Sequence, residues 1–158
     1  MKILAILGEG GHTKEMVALI DQLGDGIEYA YLVVRDDEVS ASKIRVPGPV
    51  YRVQRPRDKK HMLLLDIWKT LLCGVQSARA LVSFRPTAII TAGPSVAVPG
   101  CIVARCLGIR VIFVETGSRV TALSMTGRLV YPWAHLFFVQ WPELASRYPK
   151  AVYAGRLF

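Results

Sequence analysis

Short, almost uninterrupted apolar runs alternate along the chain with longer stretches whose apolar residues recur every three or four positions. The short runs, at 2–7, 28–34, 49–53, 87–91, 110–115, 135–140 and 151–154, are rich in β-branched and aromatic residues. That is the pattern of strands buried on both faces of a parallel sheet. The longer stretches predict helices over 13–23, 62–83, 95–107 and 121–131, and a short one over 142–147 opened by Pro142. In 13–23 the buried face is Met16, Val17, Ile20 and Leu23. In 62–83 the expected core stripe is Leu64, Trp68, Leu71 and Val75, which leaves Leu63, Leu65 and Ile67 without a place in it. Segments 35–48 and 54–61 are expected to be irregular. Strands alternating with helices predict an α/β fold: a Rossmann-like parallel sheet with helices on both faces and right-handed crossovers.

The 158 residues suffice for one domain with a real core and leave little room for two. The chain stops just after its last strand pattern, at Gly155-Arg156-Leu157-Phe158, as though it were half of a larger enzyme. Twenty Lys and Arg against twelve acids give a net charge of +8, which points to an anionic partner: nucleic acid, a phosphorylated substrate or acidic lipid. No recognition helix, stacking platform or zinc-finger pattern supports nucleic acid. Cys73, Cys101 and Cys106 have neither C-x-x-C spacing nor a neighbouring His, so neither a disulfide framework nor a zinc site is expected. All three read as small buried apolar residues in a reducing compartment. The first apolar run is too short for a signal peptide, and no run reaches the roughly 18 apolar residues of a spanning helix. Membrane contact is therefore expected to be peripheral.

Three turns carry candidate chemistry. Gly8-Glu9-Gly10-Gly11-His12-Thr13 follows the first strand and opens the first helix. Its spacing is neither that of a dinucleotide fingerprint nor that of a P-loop. Glycines there still let backbone N–H groups approach an anion at the positive end of the helix. His12, at that helix start, suits a general base; the alternative is an ordinary hydrogen-bonded turn histidine. Thr91-Ala92-Gly93-Pro94-Ser95 follows the 87–91 strand, with Ser95 as expected N-cap of the next helix and a second anion-facing helix start, or else a plain capped turn. Glu115-Thr116-Gly117-Ser118-Arg119 follows the 110–115 strand. A carboxylate ending a buried strand needs a partner or a solvated cleft. Glu115 therefore orients a sugar hydroxyl, acts as a base, or forms a structural ion pair with Arg119, which otherwise holds phosphate. In a parallel sheet all three turns lie on the carboxyl rim, where ligands bind near the point at which strand order reverses.

A fourth feature joins charge to apolar surface. Arg52, Arg55, Arg57, Lys59 and Lys60 precede the oily start of the longest helix, His61-Met62-Leu63-Leu64-Leu65-Asp66-Ile67-Trp68. Basic residues beside surplus apolar ones suit a helix lying in an anionic membrane surface; the alternative is a solvated charge run and a two-sided core helix.

The last third is the most distinctive part of the chain. Val114-Glu115-Thr116-Gly117-Ser118-Arg119-Val120, Leu123-Ser124-Met125-Thr126-Gly127-Arg128-Leu129, Val139-Gln140-Trp141-Pro142-Glu143-Leu144, Tyr148-Pro149 and Tyr153-Ala154-Gly155-Arg156-Leu157 occur in order. Together with Gly10-Gly11-His12-Thr13, Gly93-Pro94 and Val98-Pro99, they resemble the family of the fourteenth asparagine-linked glycosylation protein, including bacterial PssD-type relatives. The resemblance covers nearly the whole chain and implies the amino-terminal, acceptor-side half of a GT-B glycosyltransferase split over two chains. Residues 1–158 would be this single lobe, with 153–158 docking a separate donor-binding subunit through Tyr153, Leu157 and Phe158.

The implied reaction is inverting and metal-independent, with a UDP-sugar as donor substrate and no further cofactor. The sugar, most simply N-acetylglucosamine, passes to a polyprenyl-diphosphate-linked sugar. His12 is the expected base and Glu115 its rival; Gly10, Gly11, Thr13, Gly93, Ser95 and Arg119 are expected to hold the acceptor and its phosphates. Arg55, Arg57, Lys59, Lys60, Leu63 and Trp68 would rest on the cytoplasmic face of the membrane; since the chain begins at its first strand without the leading helix of eukaryotic members, anchoring is expected from this region or from the partner subunit. The competing expectation is a non-catalytic membrane recruiter for a self-sufficient partner enzyme.

Overall fold

The computed structural model describes residues 1–24, 26–56 and 63–157. Arg57, Lys59, Lys60 and Phe158 lie outside the described residues. Seven strands form one parallel sheet: β1 (Lys2–Ile6), β2 (Glu28–Val34), β3 (Val50–Val53), β4 (Ala88–Thr91), β5 (Arg110–Val114), β6 (Leu136–Val139) and β7 (Ala151–Tyr153). Their order is β3-β2-β1-β4-β5-β6-β7, so the sequence of strands reverses between β1 and β4. Connecting them are α1 (Gly11–Leu23), α2 (Glu38–Ser42), α3 (Leu63–Phe84), α4 (Ala97–Cys106), α5 (Met125–Val130) and α6 (Pro142–Arg147).

Alternate strand residues feed two cores, as a pleated sheet requires. Leu4, Ile6, Leu32, Ile89, Val111, Phe113 and Phe137 face one side and pack under α3, α4, α5 and α6. There Phe113 and Phe137 stack with ring centroids 4.8 Å apart. Ile3, Ala5, Leu7, Tyr29, Tyr31, Val33, Ile90 and Val114 face the other side and pack under Met16 and Ile20 of α1. Helices thus cover both faces, but unequally. On the α1 side, Ile112 and Phe138 are only partly buried, and they help to line an apolar groove of about 370 Å³ together with Leu157.

Four expectations need correction. Segment 35–48 is not wholly irregular: Asp37 accepts a hydrogen bond from Ser40 N at 2.9 Å and caps α2. Ser95 is not the cap of α4; Val96 takes that place with no side-chain bond, and Ser95 lies in the preceding turn, where Val98 N donates to its carbonyl. The 121–131 helix begins only at Met125, capped by Ser124, whose Oγ accepts from Gly127 N at 2.9 Å. Cys73 and Cys101 are buried, but Cys106 is exposed.

The largest discrepancy concerns α3. The residues it buries are Cys73, Ser77, Ala80, Leu81 and Phe84, all in its second half. The expected core stripe is instead in solvent: Leu64 is 83% exposed, Trp68 64% and Leu71 61%, with Val75 also exposed. Length explains it. Twenty-two helical residues span about 33 Å, against about 13–17 Å for strands of four or five residues. A crossover helix runs antiparallel to its strands, so the excess of α3 projects past the carboxyl rim. Leu64→Ser is therefore expected to change stability by less than about 0.5 kcal/mol in urea unfolding. Leu81→Ala, on the same helix but buried, should cost about 2–5 kcal/mol.

Candidate functional site

The three rim turns meet at the reversal between β1 and β4. His12 at the start of α1 bonds through Nδ1 to Ala92 O, 2.8 Å away in the turn after β4. A carbonyl oxygen only accepts, so Nδ1 holds the ring proton and Nε2 is left to accept another. A Cβ on Gly8 would overlap the Pro94 ring, so glycine there lets the two turns touch. Among the described residues no side chain caps α1, whose N-cap is Gly10. Its first N–H groups therefore remain open to an anion.

Beside this helix start lies a cavity of about 670 Å³. Gly11, His12, Gly93, Thr116, Gly117, Ser118 and Arg119 line it, so all three turns contribute to one space. Lys14 and Arg156 add positive charge, and Glu9 and Glu15 negative charge. Glu9 does not act alone: Arg55 Nη1 donates to Glu9 Oε2 at 3.1 Å, and Nη2 meets the other carboxylate oxygen. Arg55 thus points at the glycine turn rather than being simply a membrane-facing cation. The balance of charge around the cavity suits a phosphorylated ligand.

Four expected site residues are not part of the cavity wall: Gly10, Thr13, Ser95 and Glu115. Thr13 is buried; its hydroxyl donates to Gly8 O and shares a 2.7 Å hydrogen bond with Ser40 Oγ, so it pins the glycine turn and is closed to a ligand. Glu115 is fully buried and is not part of the cavity wall. Its Oε1 accepts from Thr116 N at 3.1 Å, and its Oε2 accepts from Ser124 N at 2.9 Å and Ser124 Oγ at 3.1 Å. Burial pushes its carboxyl above the usual carboxylate range, while the Ser124 and Thr116 hydrogen bonds and the charge of Arg119 work against that. The geometry makes Glu115 a brace between the β5 turn and the start of α5. Among the described residues it forms no ion pair with Arg119, which stands exposed over the cavity. Ser95 is also displaced, into a smaller neighbouring cavity of about 220 Å³ shared with Glu9, His12 and Arg55.

Two residues that build the site were missed. Glu15 is buried within α1, where Oε1 accepts from Gly117 N at 2.7 Å, Thr116 Oγ1 at 3.0 Å and Gln140 Nε2 at 3.3 Å. The signal was a carboxylate in the otherwise apolar stripe Met16-Val17-Ile20, one turn after His12. Gln140 ends β6 and uses its whole amide: Nε2 also donates to Glu115 O at 3.1 Å, and Oε1 accepts from Leu157 N at 3.0 Å. Its signal was a polar residue closing a buried strand. Trp141 Nε1 donates to Gly117 O at 2.7 Å, and the Arg156 guanidinium lies over the Trp141 ring, 4.4 Å from its centroid. The last residues are thereby held against the site.

A parallel Rossmann-like sheet with its cavity at the reversal point defines a doubly wound α/β protein that binds its ligand at the carboxyl rim. Solved structures agree. The chain is similar to Acinetobacter baumannii MurG, with a TM-score of 0.73 and 21% identity, over 90% of this chain and 42% of that one. It is also similar to UDP-GlcNAc 2-epimerase from Neisseria meningitidis, with a TM-score of 0.74 and 17% identity, over 99% of this chain and 47% of that one. The chain spans less than half the length of these structures.

It belongs to the family described as Oligosaccharide biosynthesis protein Alg14 like, which matches residues 3–157. Its relatives include the human UDP-N-acetylglucosamine transferase subunit ALG14, 32% identical over 99% of this chain and 83% of the relative. The Schizosaccharomyces pombe subunit is 30% identical over 97% of this chain and 81% of the relative.

Gly127 tests the Glu115 brace. A Cβ there would overlap Glu115 Oε2. Gly127→Ala is expected to cost about 1–3 kcal/mol in urea unfolding, with loss of order in the 115–124 segment seen by amide hydrogen exchange. Unchanged stability would mean that Glu115 does not hold this position.

Proposed function

We propose that this chain is the acceptor-side subunit of an inverting, metal-independent glycosyltransferase. A separate subunit supplies the donor UDP-sugar, most simply UDP-N-acetylglucosamine, and the acceptor is a polyprenyl-diphosphate-linked sugar. The observation that carries the reading is the convergence of His12, the open start of α1 and the side chains of Lys14, Arg119 and Arg156 on one cavity. Family membership supports a subunit of a transferase in oligosaccharide assembly.

In this scheme the N–H groups at Gly11 and the charges of Lys14, Arg119 and Arg156 hold the acceptor diphosphate. His12 Nε2 takes the proton of the attacking hydroxyl as its oxygen bonds to the anomeric carbon. The bond from that carbon to the UDP oxygen breaks, and UDP leaves with the electron pair. Ala92 O holds the ring orientation, and the Nδ1 proton of the imidazolium formed stays hydrogen-bonded to it. Holding the acceptor against the donor carbon supplies the entropic part of catalysis.

The membrane reading rests on the projecting half of α3. Leu64, Trp68 and Leu71, with Leu63, form an exposed apolar surface at the same end of the sheet as the cavity. Lying in the cytoplasmic face of an anionic bilayer, that surface would bring the cavity to the lipid-linked acceptor. No helix of the described residues is long and apolar enough to cross a membrane. Exposed Tyr153 on the edge strand β7 and the groove around Leu157 on the α1 face of the sheet would form the docking surface for the donor-binding subunit.

With the two-subunit complex reconstituted, His12→Ala is expected to lower kcat by about 10²–10⁴-fold while complex formation is retained. Unchanged turnover would remove His12 from the chemistry. Activity of the partner alone on a soluble acceptor analogue would support the recruiter reading instead. In a vesicle-sedimentation assay with anionic lipid, Leu64→Ser with Trp68→Ser should release most of the bound protein, and so should neutralising Arg57, Lys59 and Lys60 together. Each Lys or Arg near the surface contributes about 1 kcal/mol. Undiminished binding would exclude α3 as the membrane surface.

A further inference from the structure

Glu15 carries a carboxylate oxygen that the protein itself leaves idle. The residue is 3% exposed and forms part of the cavity wall. Its Oε1 is saturated by Gly117 N, Thr116 Oγ1 and Gln140 Nε2. Its Oε2 is enclosed and has no hydrogen-bond partner among the described residues. A carboxylate oxygen has room for two donors, and a buried acceptor without one is costly, the more so when charged. A clamp between α1 and the β5 turn does not require that charge, because the amide oxygen of Gln would accept the same bonds. Glu15 lines the cavity, so a donor that arrives with whatever fills it meets Oε2 when the carboxylate turns a little toward that space.

We infer that Glu15 is a positioning residue for the acceptor, with Oε2 accepting a hydrogen bond from a hydroxyl of the acceptor sugar. The inference rests on the transferase reading above. The donor must be a hydroxyl or an amide N–H, because phosphate oxygens are repelled by a carboxylate. The cavity therefore divides its labour: phosphate lies at the start of α1 and the basic side chains, and the sugar ring lies over Glu15. His12 sits one helical turn earlier on the same face, with about 5–6 Å between the two Cβ atoms. A ring held by one of its hydroxyls at Glu15 would present a neighbouring hydroxyl to His12 Nε2. Charged hydrogen bonds of this kind make a site discriminate strongly against an analogue that lacks the hydroxyl.

Glu15→Gln separates the two roles of the side chain. It preserves an oxygen for Gly117 N and Thr116 Oγ1 but places an NH₂ donor where Oε2 accepted. In the reconstituted complex, with UDP-N-acetylglucosamine and a short-chain polyprenyl-diphosphate N-acetylglucosamine, the KM for the acceptor is expected to rise 10–100-fold. The KM for the UDP-sugar, the melting temperature and the pH profile of kcat should be retained. One monodeoxy acceptor should be as poor for the wild type as the full acceptor is for Glu15→Gln, and the substitution should then add no further loss. Should Glu15→Gln fail to fold, Glu15→Asp, which keeps the carboxylate but retracts it, is expected to raise the acceptor KM with kcat preserved. Acceptor kinetics unchanged in a folded variant would overturn the inference and leave Glu15 as a clamp alone. So would an additional loss of similar size on every deoxy acceptor, or the disappearance of the acid limb of the kcat profile, which would make Glu15 the base. A wild-type complex that transfers no sugar would sink the transferase reading itself, and is seen before any variant is made.

Discussion

Three hydrogen bonds to one carboxylate oxygen hold the rim of this protein together. Glu15 Oε1 receives Thr116 Oγ1, Gly117 N and Gln140 Nε2, residues 101, 102 and 125 positions away in sequence. Strands of a parallel sheet end in turns that have no ladder partner of their own, so those turns need side chains to fix them. Here the helix after β1, the turn after β5 and the end of β6 share a single acceptor. Glu115 extends the brace by tying its own turn to the start of α5, and Gln140 extends it to the last described residue, Leu157. The cavity wall is thus one connected polar network, in which each member fixes the geometry of the next.

The uneven covering of the sheet has a functional counterpart. Four helices, α3 to α6, bury one face, while the other has α1 beneath β1 and β2 and a partly filled groove beneath β5 and β6. That groove and the exposed half of α3 lie in different parts of the molecule, and in the proposed function one would meet the protein partner and the other lipid. Arg156 belongs to the walls of both the cavity and the groove, so a partner seated at the chain's end would meet residues that also meet the substrate.

Much of this was legible in the sequence, for reasons that also explain what was not. The strands were readable because those of a doubly covered sheet are nearly continuous apolar runs, and the seven runs correspond to β1–β7 within a residue or two at their ends. Convergence of the three turns followed from parallel topology alone. Helix faces were harder. The i, i+4 spacing of Leu64, Trp68, Leu71 and Val75 is that of a buried stripe, but periodicity carries no information about whether the sheet reaches far enough to cover it. Side-chain direction was harder still. Thr13 and Glu115 were read as ligand-facing from their place in the turns, and both point inward to brace the backbone. Glu15 was passed over because a glutamate in a helix ordinarily belongs to its solvent face. Only the tertiary placement of α1 against the β5 turn turns it toward the cavity.

The central claim is that the rim cavity holds an acceptor sugar with its reacting hydroxyl at His12. The most direct measurement is a structure of this chain, together with its donor-binding subunit, bound to a short-chain polyprenyl-diphosphate sugar. The diphosphate is expected against the start of α1, with a sugar hydroxyl within hydrogen-bonding distance of His12 Nε2. A ligand bound elsewhere on the chain, or a cavity filled by the partner's own residues, would contradict it.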